Sequence, residues 1–301
     1  MNGIIIVNKE KGFTSHDVVA KLRGILHTKK IGHTGTLDPD ATGVLPVCIG
    51  KATKVCDLLT EKEKTYEAVI RFGLTTDTLD MTGTVLEEKP VHFTKDQLVE
   101  TLAAFTGEID QIPPMYSAIK VNGKKLYELA RKGQVVERKP RKVTIYELEL
   151  LSENLSENEC TIRVRCSKGT YIRSLCQDIG EALGCGAAMK ALVRTGVGRF
   201  QIGQALTLSQ IEDACRCQNP ESLLLTVDSV FDQYRSCQVS EKAMRFLKNG
   251  NLVDASFCDT GEKGPEDGEN FRMYGFDGDF YAIYHYEKKD GMFHIVKMFH
   301  E

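Results

Sequence analysis

A single aspartate poses the first chemical question. Asp38 lies in residues 32–51, GHTGTLDPDATGVLPVCIGK, and it precedes Pro39, which confines its backbone to extended conformations. The glycines around it let other chains approach closely. Leu37, Val44, Leu45, Val47 and Ile49 give the same stretch apolar anchors. Its Gly, Thr and Pro content argues against a regular helix or a central strand. We therefore expect a shaped loop, held on a core, that presents one carboxylate.

Other chemistries fit less well. A phosphate-binding loop from Gly43 to Lys51 would need four residues between its glycines and a hydroxyl after the lysine; here six intervene and Ala52 follows. Asp38 and Asp40 are neighbours rather than opposed carboxylates of a glycosidase cleft. No serine has a histidine partner in a recognisable pattern. The ten cysteines are scattered with no C-x-x-C pair, and the seven histidines are dispersed. That distribution reads as reduced thiols, with no metal site and no disulfide framework. Asp77 and Asp80 read as turn residues rather than a cation site.

Charge distribution points to a partner. The net charge is −3, yet residues 120–142 hold nine Lys or Arg against Glu128 and Glu137, a local +7. Tyr116 and Tyr127 are interleaved with Lys120, Lys124, Lys125 and Arg131. Cations for phosphates with rings for exposed bases suit RNA; a solvated helix face is the competing reading. Residues 237–301 carry twelve acids against eight bases, a poor surface for gripping RNA.

The positioning elements follow from periodicity and caps. Residues 3–8 read as a buried strand, and Ser15 as the cap of a helix of about a dozen residues. Residues 64–73 alternate as a strand, with Tyr66, Ala68, Ile70 and Phe72 on one face. Thr94 and Gln97 form a capping box, closed at Gly107. Pro113 and Pro114 prevent a helix, Asn122-Gly123 marks a tight turn, and residues 124–132 read as a short basic helix. Strands are expected at 142–151 and 159–166, a helix at 174–183, and short helices at 207–214 and 240–248. Tyr171 and Arg173 would share a face if the backbone there is extended. Residues 280–286 and 292–299 alternate as strands of a small β-rich unit. No apolar run is long enough to span a bilayer, and the first residues lack the features of a signal peptide, so a cytoplasmic protein is expected.

GHTGTLDPDATGVLP resembles the catalytic-loop motif of the TruB family of tRNA pseudouridine synthases, whose essential aspartate matches Asp38. The resemblance extends over residues 1–200 and is strongest at 32–51, 111–131 and 169–173. It departs at Glu10, where the family has proline between Lys9 and Gly12. It implies an α/β (α+β) pseudouridine synthase fold: a mixed, mostly antiparallel central sheet with flanking helices in 1–235, an RNA-binding thumb at 111–142, and a small PUA-like domain at 236–301. By the same resemblance, Arg173 pairs with Asp38 and lowers its pKa, Tyr66 stacks on the target base, and Tyr171 packs on the nucleotide. Lys64 and His33 also match substrate-binding positions, and Leu192 matches a residue lining the uracil pocket, although ordinary core is an equal reading for it. The implied reaction converts uridine 55 in the tRNA T-loop to pseudouridine by base flipping, without a cofactor. The expected partner is the T-arm stem-loop, with the chain acting as a monomer. Two alternatives remain: a non-catalytic tRNA-folding chaperone, and a synthase acting on another RNA.

Overall fold

The computed structural model describes residues 1–121, 123–217 and 219–300. The turn expected at Asn122-Gly123 lies partly outside them, because Asn122 is not described. A nine-stranded sheet runs through the chain. Its main path orders the strands Gly3–Lys9, Thr42–Ile49, Ala187–Val197, Lys64–Phe72, Glu159–Cys166, Arg141–Asn154 and Gly107–Gln111. All these pairs are antiparallel except Thr42–Ile49 with Ala187–Val197.

One central strand contradicts the sequence reading and another goes unforeseen by it. Thr42–Ile49 is a strand inside the sheet despite Gly43 and Pro46. Pro46 sits where the neighbour on one side changes from Ala187–Val197 to Ile31–His33. Its carbonyl accepts from Thr34 on that side, and a residue's N–H and C=O share one edge, so its missing donor falls at a break in the ladder. Ala187–Val197, to which the sequence pattern assigns no element, crosses the middle of the sheet.

Elsewhere the patterns hold in part. Lys64–Phe72 buries every second residue. Thr94 caps Lys95–Ala104 through its box with Gln97, but Gly107 then opens a strand the pattern did not reveal. The first helix, Ser15–Ile25, is capped by Thr14 with Asp17 rather than by Ser15. The basic helix shrinks to Leu126–Ala130. Helix Ile172–Ala182 begins right after Tyr171, which is its N-cap, so Arg173 lies in the first turn and not on a strand.

A second sheet of six strands begins at Arg235–Val239, which pairs in parallel with Asn270–Tyr274, and includes the hairpin Phe280–Glu287 and Met292–Met298. Its Ile283 and Phe299 pack with Ile4, Ile6, Val44 and Phe231 in one buried cluster. Aromatic contacts among Phe231, Phe280 and Phe299, with centroids 5.3 to 6.1 Å apart, fasten the β-rich unit to the back of the main sheet. No helix among the described residues is long and apolar enough to cross a membrane.

Candidate active site

The Asp38 loop is tied down residue by residue. Buried Arg194 donates to the carbonyls of Val44 (2.7 Å), Gly35 (3.3 Å) and Thr36 (3.5 Å). The Ser15 hydroxyl accepts from the Leu37 N–H at 3.0 Å. Ala41 N–H closes a turn on the Asp38 carbonyl. Buried Lys9 donates to the carbonyls of Pro39 at 3.0 Å and Phe13 at 2.6 Å. Burial pulls the Lys9 ammonium down to about 8, against the opposing pull of Asp38 and Asp40. At Gly43 the main chain passes so near Arg194 that a Cβ would lie 2.2 Å from its carbonyl oxygen, so only glycine fits.

On this support Asp38 meets Arg173. Nε of Arg173 lies 3.0 Å from Asp38 Oδ2, across 135 residues of sequence. The Asp38 side chain stays 42% exposed toward the cleft, whereas Arg173 is 6% exposed. Arg173 also donates to the carbonyls of Thr78 (3.1 Å) and Tyr116 (2.8 Å) and lies 3.7 Å from Asp80 Oδ2. A guanidinium engaged on every side is a fixed fork and not a mobile surface charge. Burial nevertheless raises the Asp38 carboxyl above its ordinary range, with Arg173 opposing, Asp80 adding to the rise and Lys9 opposing. The expected lowering by Arg173 is thus present but outweighed, because desolvation of the charged form is the larger effect here.

Asp80 was read as a turn residue and is one. Its Oδ1 accepts from Thr78 Oγ1 (2.8 Å), Thr82 N (3.0 Å) and Thr82 Oγ1 (2.5 Å). Its other oxygen faces Arg173, a second role that local sequence gives no sign of. Of the two carboxylates, Asp38 is the one left open for chemistry.

These groups border a cleft of about 940 Å³, lined also by Tyr66, Tyr116, Arg131, Tyr171 and Leu192. Burial pushes the Tyr66 phenol above its ordinary value, with Arg194 opposing, and burial does the same to Tyr171. Both are neutral phenols at physiological pH. Gln111 clamps Tyr171 through two bonds, to its carbonyl (3.0 Å) and from its N–H (2.7 Å).

Two expected substrate residues are placed elsewhere. Lys64 does not border the cleft; its ammonium is buried against the carbonyls of Thr60 and Lys62, and burial lowers it to about 8. It is an anchor at the start of its strand. His33 also lies off the cleft wall, edge-on to His16 at 5.3 Å, with a buried Nδ1 that has no hydrogen-bond partner. In the thumb, Arg131 and Lys125 flank the Tyr127 ring, each 5.4 Å from its centroid, and Lys120 and Lys124 are exposed. Lys142 is already paired with Glu108, and Arg138 donates to Pro113 O. The basic segment therefore offers fewer free cations than its composition implies. Lys9, Ser15 and Arg194 are the residues sequence reading missed. Only their full burial marks them, and burial of a charge is not visible in a sequence.

Known proteins resemble this chain in sequence and fold. Residues 23–172 match the family described as TruB family pseudouridylate synthase (N terminal domain), and 173–232 match the tRNA pseudouridylate synthase B C-terminal domain. The "tRNA pseudouridine synthase B" of Lachnoclostridium phytofermentans is 54% identical, covering 99% of this chain and 100% of the relative. That of Clostridium kluyveri is 42% identical over the same shares. Among solved structures, a Cbf5-Nop10-Gar1 complex superposes with a TM-score of 0.72 at 26% identity, over 99% of this chain and 84% of the other. An H/ACA RNP bound to a substrate RNA containing 2′-deoxyuridine gives a TM-score of 0.73 at 24% identity, a likeness of fold, over 99% and 85%. Identity of this extent, with Asp38 inside the first match brought to Arg173 at the start of the second, shows that the chain belongs to the TruB family of pseudouridine synthases.

Proposed function

We propose that this chain converts uridine to pseudouridine in tRNA, at position 55 of the T-loop, with Asp38 as the reacting carboxylate. In that reaction the C1′–N1 bond breaks, C1′ bonds to C5, and the proton displaced from C5 is balanced by one gained at N1. No atom is lost and nothing is oxidised, so the stoichiometry asks for neither oxidant nor reductant. The observation that carries the reading is the Asp38–Arg173 pair, open on one side to a cleft with Tyr66, Tyr171 and Leu192 on its walls.

In this reading Tyr66 and Leu192 hold the uracil, Tyr171 lies along the nucleotide, and Arg173 orients Asp38. The target must leave its stack, at a cost of a few kcal/mol, and stacking on an aromatic ring returns roughly 1–3 kcal/mol. Lys120, Lys124, Lys125 and Arg131 meet phosphates of the T-arm, and a monomer in the cytoplasm, where tRNA is found, suffices. His33 reaches substrate only through RNA that extends past the cleft rim.

The test uses the purified chain alone with a bare T-arm stem-loop carrying tritium at C5 of its uridines. Release of tritium from one uridine, abolished in Asp38→Asn with binding retained, is the expected result. Binding that assists tRNA refolding, with no release by the unaltered chain, would leave the chaperone reading standing instead. Release only when a guide RNA or second protein is added would point to the other synthase class.

A further inference from the structure

We propose that the hairpin of the β-rich unit holds a site for a divalent transition metal of the zinc class, ligated by His285, Glu287 and His294. The register builds it. His285 and Glu287 are two apart on Phe280–Glu287, so they share a face, and His294 is the direct cross-strand partner of His285. Glu287 Oε1 lies 3.0 Å from His285 Nε2 and 3.8 Å from His294 Nδ1, and the three ligand atoms all fall within 4.8 Å of one another. Tetrahedral zinc with bonds of 2.0–2.1 Å sets ligand atoms about 3.3 Å apart. The widest pair must therefore close by no more than about 1.5 Å, within reach of a side-chain rotation for half-exposed residues.

The surroundings favour ligation over a chance cluster. Nε2 of His294 meets Asp290 Oδ2 at 2.9 Å, leaving Nδ1 as the free lone pair toward the site. An imidazole that gives its second N–H to a carboxylate is the usual outer arrangement of a metal-bound histidine. Asp290 is itself fixed, because its Oδ1 accepts from Met292 N at 3.0 Å. Lys289 holds the other oxygen of Glu287, so Oε1 is the one presented to the two imidazoles. The rings stack with centroids 5.4 Å apart. Two imidazoles and one carboxylate suit zinc, nickel or copper and not magnesium or calcium. None of the three residues borders the cleft, so the metal would staple the hairpin and take no part in turnover.

The test is calorimetric titration of the chelator-treated full chain with zinc chloride, beside a magnesium chloride control. We expect one zinc per chain, no magnesium, and a thermal midpoint raised by zinc. His285→Gln and His294→Gln, which keep size and polarity, should each weaken zinc at least about tenfold, and Asp290→Asn about tenfold through its hold on His294. The thermal midpoint of the double variant should no longer respond to zinc. His16→Ala, which removes half of the other histidine pair, should change nothing. Zinc binding of equal strength in the His285→Gln/His294→Gln chain, or none in the unaltered chain, would overturn the proposal and leave a hydrogen-bonded hairpin.

Discussion

Two segments face each other across the cleft and are held in opposite ways. In residues 35–39 every residue has a backbone polar group bonded by a buried side chain or a tight turn. In residues 112–140 the ties are gathered at the base, where Ser174 binds Ile112 O, Arg138 binds Pro113 O and Arg173 binds Tyr116 O. Beyond Ala130 the thumb is exposed, with Val135 at 81%. Chemistry needs a carboxylate placed to within a fraction of an ångström; docking on a flexible polyanion needs cations free to adapt. Buried Lys9 and Arg194 hold the Asp38 loop alone, whereas buried Arg173 reaches the other segment only at its base, at Tyr116.

The most damaging change is at the pinned side. Asp38→Asn should cut uridine conversion roughly 10³-fold or more while T-arm affinity, read by filter binding, stays near that of the unaltered chain. The same variant tests the pKa. Because the folded Asp38 carboxyl keeps its proton to higher pH than the unfolded one, this group's contribution to stability is lost as pH rises through the raised value. Urea midpoints of Asp38→Asn should therefore exceed those of the parent at pH 7, and the gap should close as the pH falls to the ordinary carboxyl range. A parent that is the more stable at pH 7 would mean that Arg173 outweighs burial after all.

Next comes the support. Arg194→Met strips the carbonyls of Gly35 and Val44 of their donor. It should cost about 1–3 kcal/mol in urea unfolding and about 10²-fold in turnover as Asp38 drifts. Turnover that survives would show that Lys9 and Ser15 hold the loop alone. On the loose side the effects shrink. Lys124→Ala with Lys125→Ala should weaken T-arm binding about tenfold and flatten the dependence of log K on log salt by about 0.7–0.9 for each phosphate no longer neutralised. An unchanged thermal midpoint should accompany that weakening. Lys142→Ala should change affinity less than about twofold, because its charge is already balanced by Glu108. An effect as large as that of Lys124 would erase the distinction between free and paired cations.

How much of this was legible beforehand depends on range. Asp38 was marked by its own neighbours, since a pre-proline carboxylate among glycines and apolar anchors is a local signal. Thr94 with Gln97, and the alternation from Lys64 to Phe72, were local too, and both stood. The strand at Thr42–Ile49 was hidden because Gly43 and Pro46 speak against strands, and only the change of neighbour at Pro46 reconciles them. The rise in Asp38's pKa was hidden because burial is a property of the whole fold.

The sequence by itself determined the basic segment and the family and singled out Asp38 as the proposed reacting group, all carried by short runs of residues whose meaning does not depend on distant partners. The tertiary structure decided which charges are enclosed and which are free. Lys64 went to a strand anchor, Lys9 and Arg194 to the Asp38 loop, and Arg173 to two carboxylates at once. His285 and His294, nine positions apart and without metal-ligand spacing, became neighbours only through strand register. The physical reason is the same throughout. A charged side chain is defined by what desolvates and pairs it, and those groups come from wherever folding brings them.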